Sequence, residues 1–147
     1  MKTTVIIDNN PNPELPLHTE HGLCIFFEAD GFKWLMDIGG SPKFYENAEQ
    51  LHIAIEDIDF VVLSHGHRDH TGGLAKFLEV NSKAQIFVSK HILGKQYFSY
   101  RTDSQQNISV DFSIIEQHIH RFTFVDSNME LSTNVHLICK FQKIYAT

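Results

Sequence analysis

The chain is poor in positive charge: 12 lysines and arginines stand against 18 aspartates and glutamates in 147 residues, a net charge of −6 at pH 7. That balance leaves no electrostatic footprint for nucleic acid or an anionic membrane surface, so neither is an expected partner. Long apolar runs are missing too, and no segment approaches the roughly eighteen residues of a membrane span. The start, MKTTVIIDNNPN, follows one lysine with a short β-branched run that breaks at polar turn residues, so it lacks the apolar stretch of a signal peptide. Cysteine is scarce: Cys24 and Cys139 form no CxxC pair and sit in apolar, strand-like runs. They read as two buried thiols in a reducing compartment, with the cytoplasm as the expected location. No internal repeat, low-complexity tract or linker interrupts the chain. What remains, 42% hydrophobic and 12% aromatic, is enough for one core and hence a single domain over residues 1–147.

The order of elements follows from periodicity and turn chemistry. TTVIID reads as a strand, and the segment from Asn9 to Glu20, with Pro11, Pro13 and Pro16, as a loop that cannot join a central sheet. GLCIFFEADGFKWLMDIGG reads as two strands joined at Asp30-Gly31, a pair that accepts the positive φ values of a two-residue hairpin turn. Ser41-Pro42 looks like an N-cap followed by proline at the first helical position, opening a helix with Phe44, Ala48 and Leu51 on one face and an end near His52. Ile58 to Leu63 is short and β-branched enough for a buried strand. Leu74, Phe77 and Leu78 predict a helix that starts near Thr71-Gly72-Gly73 and runs to about Val80, and AQIFVS a further strand. Lys90 to Ser109 is ambiguous, with a short helix considered around His91 to Tyr100 and a polar loop at RTDSQQN. FSIIEQ, RFTFVD and NVHLICKF then read as strands. Phe26, Phe60, Phe77, Phe87 and Phe124 are expected in core packing and Trp34 in the core or anchored on the sheet surface, while Phe98 and Tyr100 fall where insertions cover a site.

The chemistry concentrates in SHGHRDHTGG, Ser64 to Gly73, between the buried strand and the next helix. His65 and His67, two apart on an extended segment, point to the same side and can grip one ion. Asp69 and His70 follow on the turn and can serve a second, with Thr71-Gly72-Gly73 letting the backbone turn sharply. With this chain's own composition, HxHxDH would arise by chance in roughly a few per thousand such chains. The helix that follows would direct its positive end at the site.

DFVVLSHGHRDHTGGL, preceded by WLMDIGG, resembles the signature of the metallo-β-lactamase fold hydrolases. EHGLCIFFEADGFKWLMDIGGSPKFYENAEQL is similar to the branch related to the methanopterin-pathway ribofuranosylaminobenzene phosphate synthases. The resemblance implies an α/β fold, the N-terminal half of a four-layer αββα sandwich with a mixed sheet and flanking helices. It implies metal ligation by His65 and His67 at one ion and by Asp69 and His70 at another, with Asp69 also orienting the attacking water as a catalytic residue and Asp37 as an orienting carboxylate behind the ligands. The implied ions are zinc, two per complete site, with manganese or iron as alternatives; the implied substrate is a small ester or phosphodiester. In that family a second half supplies another histidine, a bridging aspartate and a last histidine. This sequence reaches Thr147 before any such residues, so a truncated domain is expected, either a hydrolase completed by other ligands or an inactive half-domain that binds metal weakly. Its uncovered sheet would then favour a homo-oligomer.

Other histidines are weighed against plainer readings. His118 and His120 alternate as on one face of a strand, His136 and Cys139 fall on opposite faces of another, and His52 and His91 read as helix-end residues. His18 and His21 flank Glu20 in a loop from which one of them can approach the pocket.

Overall fold

The computed structural model describes residues 2–101 and 104–139. Its first strands are β1 (Thr3–Ile7), β2 (Cys24–Ala29) and β3 (Phe32–Met36), followed by helix α1 (Lys43–Gln50) and strand β4 (Phe60–Leu63). A one-turn helix α2 (Arg68–Thr71), helix α3 (Leu74–Val80) and strand β5 (Gln85–Ser89) come next. A small hairpin of β6 (Phe98–Ser99) and β7 (Gln106–Asn107), helix α4 (Phe112–Gln117), strand β8 (Phe122–Val125) and the hairpin β9 (Met129–Ser132) with β10 (Val135–Leu137) complete the described residues.

Six strands form one mixed sheet in the order β1-β2-β3-β4-β5-β8, antiparallel through β3 and parallel beyond it. The β2–β3 turn takes φ of 54° at Asp30 and 80° at Gly31, the positive pair that an Asp-Gly hairpin requires. On one face Leu35, Val61, Leu63, Ile86 and Val88 are buried against Phe44 and Ala48 of α1, Leu74 and Phe77 of α3, and Ile115 of α4. Each large aliphatic or aromatic side chain removed from water there contributes about 1.5–3 kcal/mol.

The other face is aromatic. Phe27 stacks on Trp34 with centroids 5.9 Å apart, Trp34 meets Phe60 at 4.5 Å, and Phe60 meets Phe87 at 6.1 Å. Phe60 and Phe87 therefore lie opposite the principal core, although core packing was expected of them; alternation along β4 and β5 sends them to the second face. Trp34 is fully buried on that face and donates its indole N–H to the Ala29 carbonyl at 3.3 Å.

Several expectations are corrected. FSIIEQ is a helix, because the Asp111 carboxylate accepts the Ser113 N–H at 3.0 Å and caps the turn, while Phe112 and Ile115, three apart, face the core. His118 and His120 consequently sit at a helix end and in the following 3₁₀ turn, not on a strand. The segment His91–Tyr100 holds no helix beyond a 3₁₀ turn at Lys90–Ile92; its chain continues into the β6–β7 hairpin. MELS, unassigned from the sequence, is a strand paired to β10, and the last two residues of NVHLICKF lie outside the described residues. Cys24 is buried, but Cys139 is partly exposed beside the hairpin. The helix after Ser41 starts one residue later than expected, with Ser41 Oγ accepting the Lys43 N–H at 3.3 Å.

Candidate metal centre

The site is built on the loop that leaves β3 and the loop that leaves β4, which lie side by side because their strands are parallel neighbours. Asp37 directly follows β3, with φ of 58° and a fully buried carboxylate. Its Oδ1 accepts the Ser64 N–H at 2.8 Å, and its Oδ2 accepts the Ser64 hydroxyl at 2.8 Å and the His70 Nδ1–H at 2.7 Å. With its one proton given to Asp37, Ser64 Oγ accepts from His65 Nδ1 at 2.9 Å. One carboxylate thus fixes the tautomer of two imidazoles, directly for His70 and through Ser64 for His65, and leaves both Nε2 lone pairs available.

The donor atoms of His65, Asp69 and His70 lie within 4.8 Å of one another, and no other trio of potential ligands converges this way among the described residues. The His65 ring is 4.3 Å from that of His70 and 4.4 Å from that of His67. His67 precedes α2 in extended conformation and packs edge-on against Tyr97 at 4.7 Å, outside the converging trio. The geometric grouping therefore crosses the expected division into His65 with His67 and Asp69 with His70. Burial, followed by the nearby His70 and His67, holds the His65 pKa below the ordinary imidazole value, which keeps it neutral and able to ligate at pH 7. Two oriented imidazoles and a carboxylate are a donor set that suits zinc, manganese or iron.

The glycines act by permitting close approach. Gly72 and Gly73 have ordinary helical φ, yet a Cβ on Gly72 would stand 2.1 Å from the Gly40 carbonyl oxygen and one on Gly73 2.3 Å from that of Ile38. The two loops are also laced by Ile38 N–H to the His70 carbonyl at 3.0 Å and Gly73 N–H to that of Gly39 at 3.3 Å. The sharp turn expected of these glycines is replaced by backbone-to-backbone contact.

Sequence reasoning did not identify Ser64 as the link between Asp37 and His65, though it stands directly before the motif. It also did not foresee the Glu20 carboxylate accepting the Gly40 N–H at 2.8 Å, the Ser41 N–H at 3.1 Å and the Ser41 hydroxyl at 2.6 Å, which clamps the loop after Asp37. Of the flanking pair, His21 does reach the site, with Nε2 3.4 Å from Asp69 Oδ2, whereas His18 pairs with Glu46. His118 contacts the Ile114 carbonyl and His136 that of Thr133, and neither belongs to the converging trio.

The metallo-beta-lactamase superfamily model matches residues 19–132, which includes both loops of the site. The chain belongs to this superfamily. Along 84 residues it is 36% identical to the 7,8-dihydropterin-6-methyl-4-(beta-D-ribofuranosyl)-aminobenzene-5'-phosphate synthase of Methanocaldococcus jannaschii, covering 52% of this chain and 28% of that protein. An uncharacterized protein of the same organism is 26% identical over 122 residues, 77% of this chain and 46% of its own length. The crystal structure of a metal-dependent hydrolase of the beta-lactamase superfamily superposes with a TM-score of 0.71 at 25% identity, over 92% of this chain and 46% of that one. The chain thus spans less than half the length of these relatives. The six-stranded mixed sheet with helices packed on one face matches part of the metallo-beta-lactamase fold of that hydrolase. Membership places the chain in a family of metal-dependent hydrolase type that commonly binds zinc. Among the described residues no helix is long and apolar enough to cross a membrane.

Proposed function

We propose that the chain acts as a metal-dependent hydrolase on a small ester or phosphodiester, with His65, Asp69 and His70 as the best-supported ligands and His67 adjoining them for a second ion. The observation that carries this reading is the convergence of three donor atoms within 4.8 Å in front of a buried carboxylate. Three protein ligands are what a catalytic zinc takes, with a position left for water or substrate. A bound ion would lower the pKa of water and polarise the scissile carbonyl or phosphoryl group. Asp69 would accept a hydrogen bond from the attacking water and orient it, while Asp37 and Ser64 hold His65 and His70 in the ligating tautomer. The test is turnover of p-nitrophenyl acetate and bis-p-nitrophenyl phosphate after loading with zinc or manganese, compared with Asp69→Asn. Metal-dependent turnover abolished by that substitution supports the assignment; turnover indifferent to it contradicts the assignment.

A second reading rests on the aromatic sheet face. Val5, Phe32 and Met36 on that face are 47%, 42% and 38% exposed, beside Phe27, Phe60 and Phe87. In this reading the chain is inactive as it stands, binds metal weakly, and packs this face against a second copy. Sedimentation of a dimer that Phe32→Glu converts to monomer, without metal-dependent turnover, would favour it over the first.

A further inference from the structure

The sequence contains three arginines, Arg68, Arg101 and Arg121. Arg121 is buried and its guanidinium is committed to the Ala84 carbonyl, the Asn81 carbonyl and Asn81 Oδ1. The other two line one cleft of about 770 Å³, and His67 and Asp69 line it as well. Lys33, Lys76, Lys83 and Lys90 are matched with carboxylates, but neither Arg68 nor Arg101 is matched with one among the described residues. Glu20 borders the same cleft, yet its oxygens already accept from Gly40 and Ser41. The cleft therefore carries two guanidiniums that no carboxylate among the described residues engages, alongside the Asp69 and Glu20 carboxylates, and these guanidiniums are the cationic groups it offers an anion beside the ligand cluster.

The same cleft is lined by Phe98 and Tyr100, which are 38% and 72% exposed at the β6 strand and just after it. Exposed rings gain by covering a flat apolar ligand. A guanidinium fork matches the two oxygens of a carboxylate or phosphate, and the cleft volume falls in the range of small-molecule sites.

We propose that this cleft selects the substrate of the adjoining centre, and that it takes a small molecule with an anionic group, phosphate or carboxylate, on an aromatic or heteroaromatic ring. Arg68 and Arg101 hold the anion, and Tyr100 and Phe98 cover the ring. The identity of the reacting bond rests on the hydrolase reading; binding of the anionic ring does not.

The test is isothermal calorimetry on the full chain with phenyl phosphate, benzoate, inorganic phosphate and benzyl alcohol, before and after removal of metal with a chelator. The expected result is that phenyl phosphate or benzoate binds more tightly than inorganic phosphate and benzyl alcohol, and the tighter of the two identifies the anion. Arg68→Gln and Arg101→Gln should each weaken that ligand about tenfold, and Arg101→Lys, which keeps the charge, should weaken it less. Tyr100→Ala should weaken the ring ligands severalfold and leave inorganic phosphate unchanged. Equal affinity for benzyl alcohol, or affinity unchanged in both arginine variants, would overturn the proposal. Binding that survives metal removal in a protein without hydrolytic turnover would leave the cleft assignment standing and remove the hydrolase reading.

Discussion

Replacing Asp37 by asparagine tests how the centre is organised, because it keeps the shape and removes one acceptor. In the native chain Oδ1 serves the Ser64 N–H, and Oδ2 takes both the Ser64 hydroxyl and His70 Nδ1. An asparagine can keep Oδ1 on the Ser64 N–H only by turning its NH₂ toward the other two groups. His70 Nδ1 must then accept, which moves the imidazole proton to Nε2 and removes the lone pair that faces Asp69 and His65. The Ser64 hydroxyl loses its acceptor as well and no longer fixes His65. Loss of such an orienting group weakens metal binding by about 10–100-fold, or roughly 1.4–2.7 kcal/mol. Competition for zinc against a chromophoric chelator would measure it, with thermal unfolding of the metal-free form run alongside to separate ligation from folding. Ser64→Ala should show a smaller loss, since it disturbs His65 and spares the bond to His70. Zinc affinity unchanged in Asp37→Asn, with the fold intact, would refute the reasoning.

Gly72→Ala forces a Cβ to 2.1 Å from the Gly40 carbonyl, and a loss of about 3 kcal/mol is expected from the backbone shift, read as a lower urea midpoint. Asn81 is fully buried, donates to the Ile55 and Ile58 carbonyls at 2.9 Å and accepts from Ala84 and Arg121 at 2.8 and 2.9 Å. Asn81→Ala orphans all of these, so a loss of about 2–4 kcal/mol in chemical unfolding is expected. The lowered pKa of His65 sets a pH dependence: the unfolded chain takes up this proton more readily than the folded one. The contribution is therefore complete above the unfolded value of about 6.5 and is lost as the pH falls through it toward the lower folded value. Thermal scans of metal-free protein from pH 8 to 5 should show this acid-side decline, and His65→Asn should flatten it.

What could be read from the sequence was what short-range chemistry determines. The Asp30-Gly31 turn, the buried strand within Ile58–Leu63 and the helix carrying Leu74, Phe77 and Leu78 follow from turn residues and apolar spacing that act within a few positions. FSIIEQ was misread because β-branched content outweighed a cap at Asp111, whose carboxylate accepts both the N–H and the hydroxyl of Ser113. The β6–β7 hairpin was illegible because its strands are two residues each and are held from outside, by Ile108 donating to Tyr97 and accepting from Arg68. At the centre, the motif named the residues, but their grouping did not follow from spacing. His67 turns to Tyr97 while Asp37 and Ser64 draw His65 toward His70, and both effects depend on contacts between loops 27 to 33 residues apart in sequence.

The most direct test of the central claim is the metal content of protein purified without chelator, by elemental analysis, for the native chain, His70→Ala and His67→Ala. The trio of His65, Asp69 and His70 predicts about one firmly held ion per chain, abolished by His70→Ala and retained by His67→Ala. An absence of metal in the native chain, or a content that His70→Ala leaves unchanged, would contradict it.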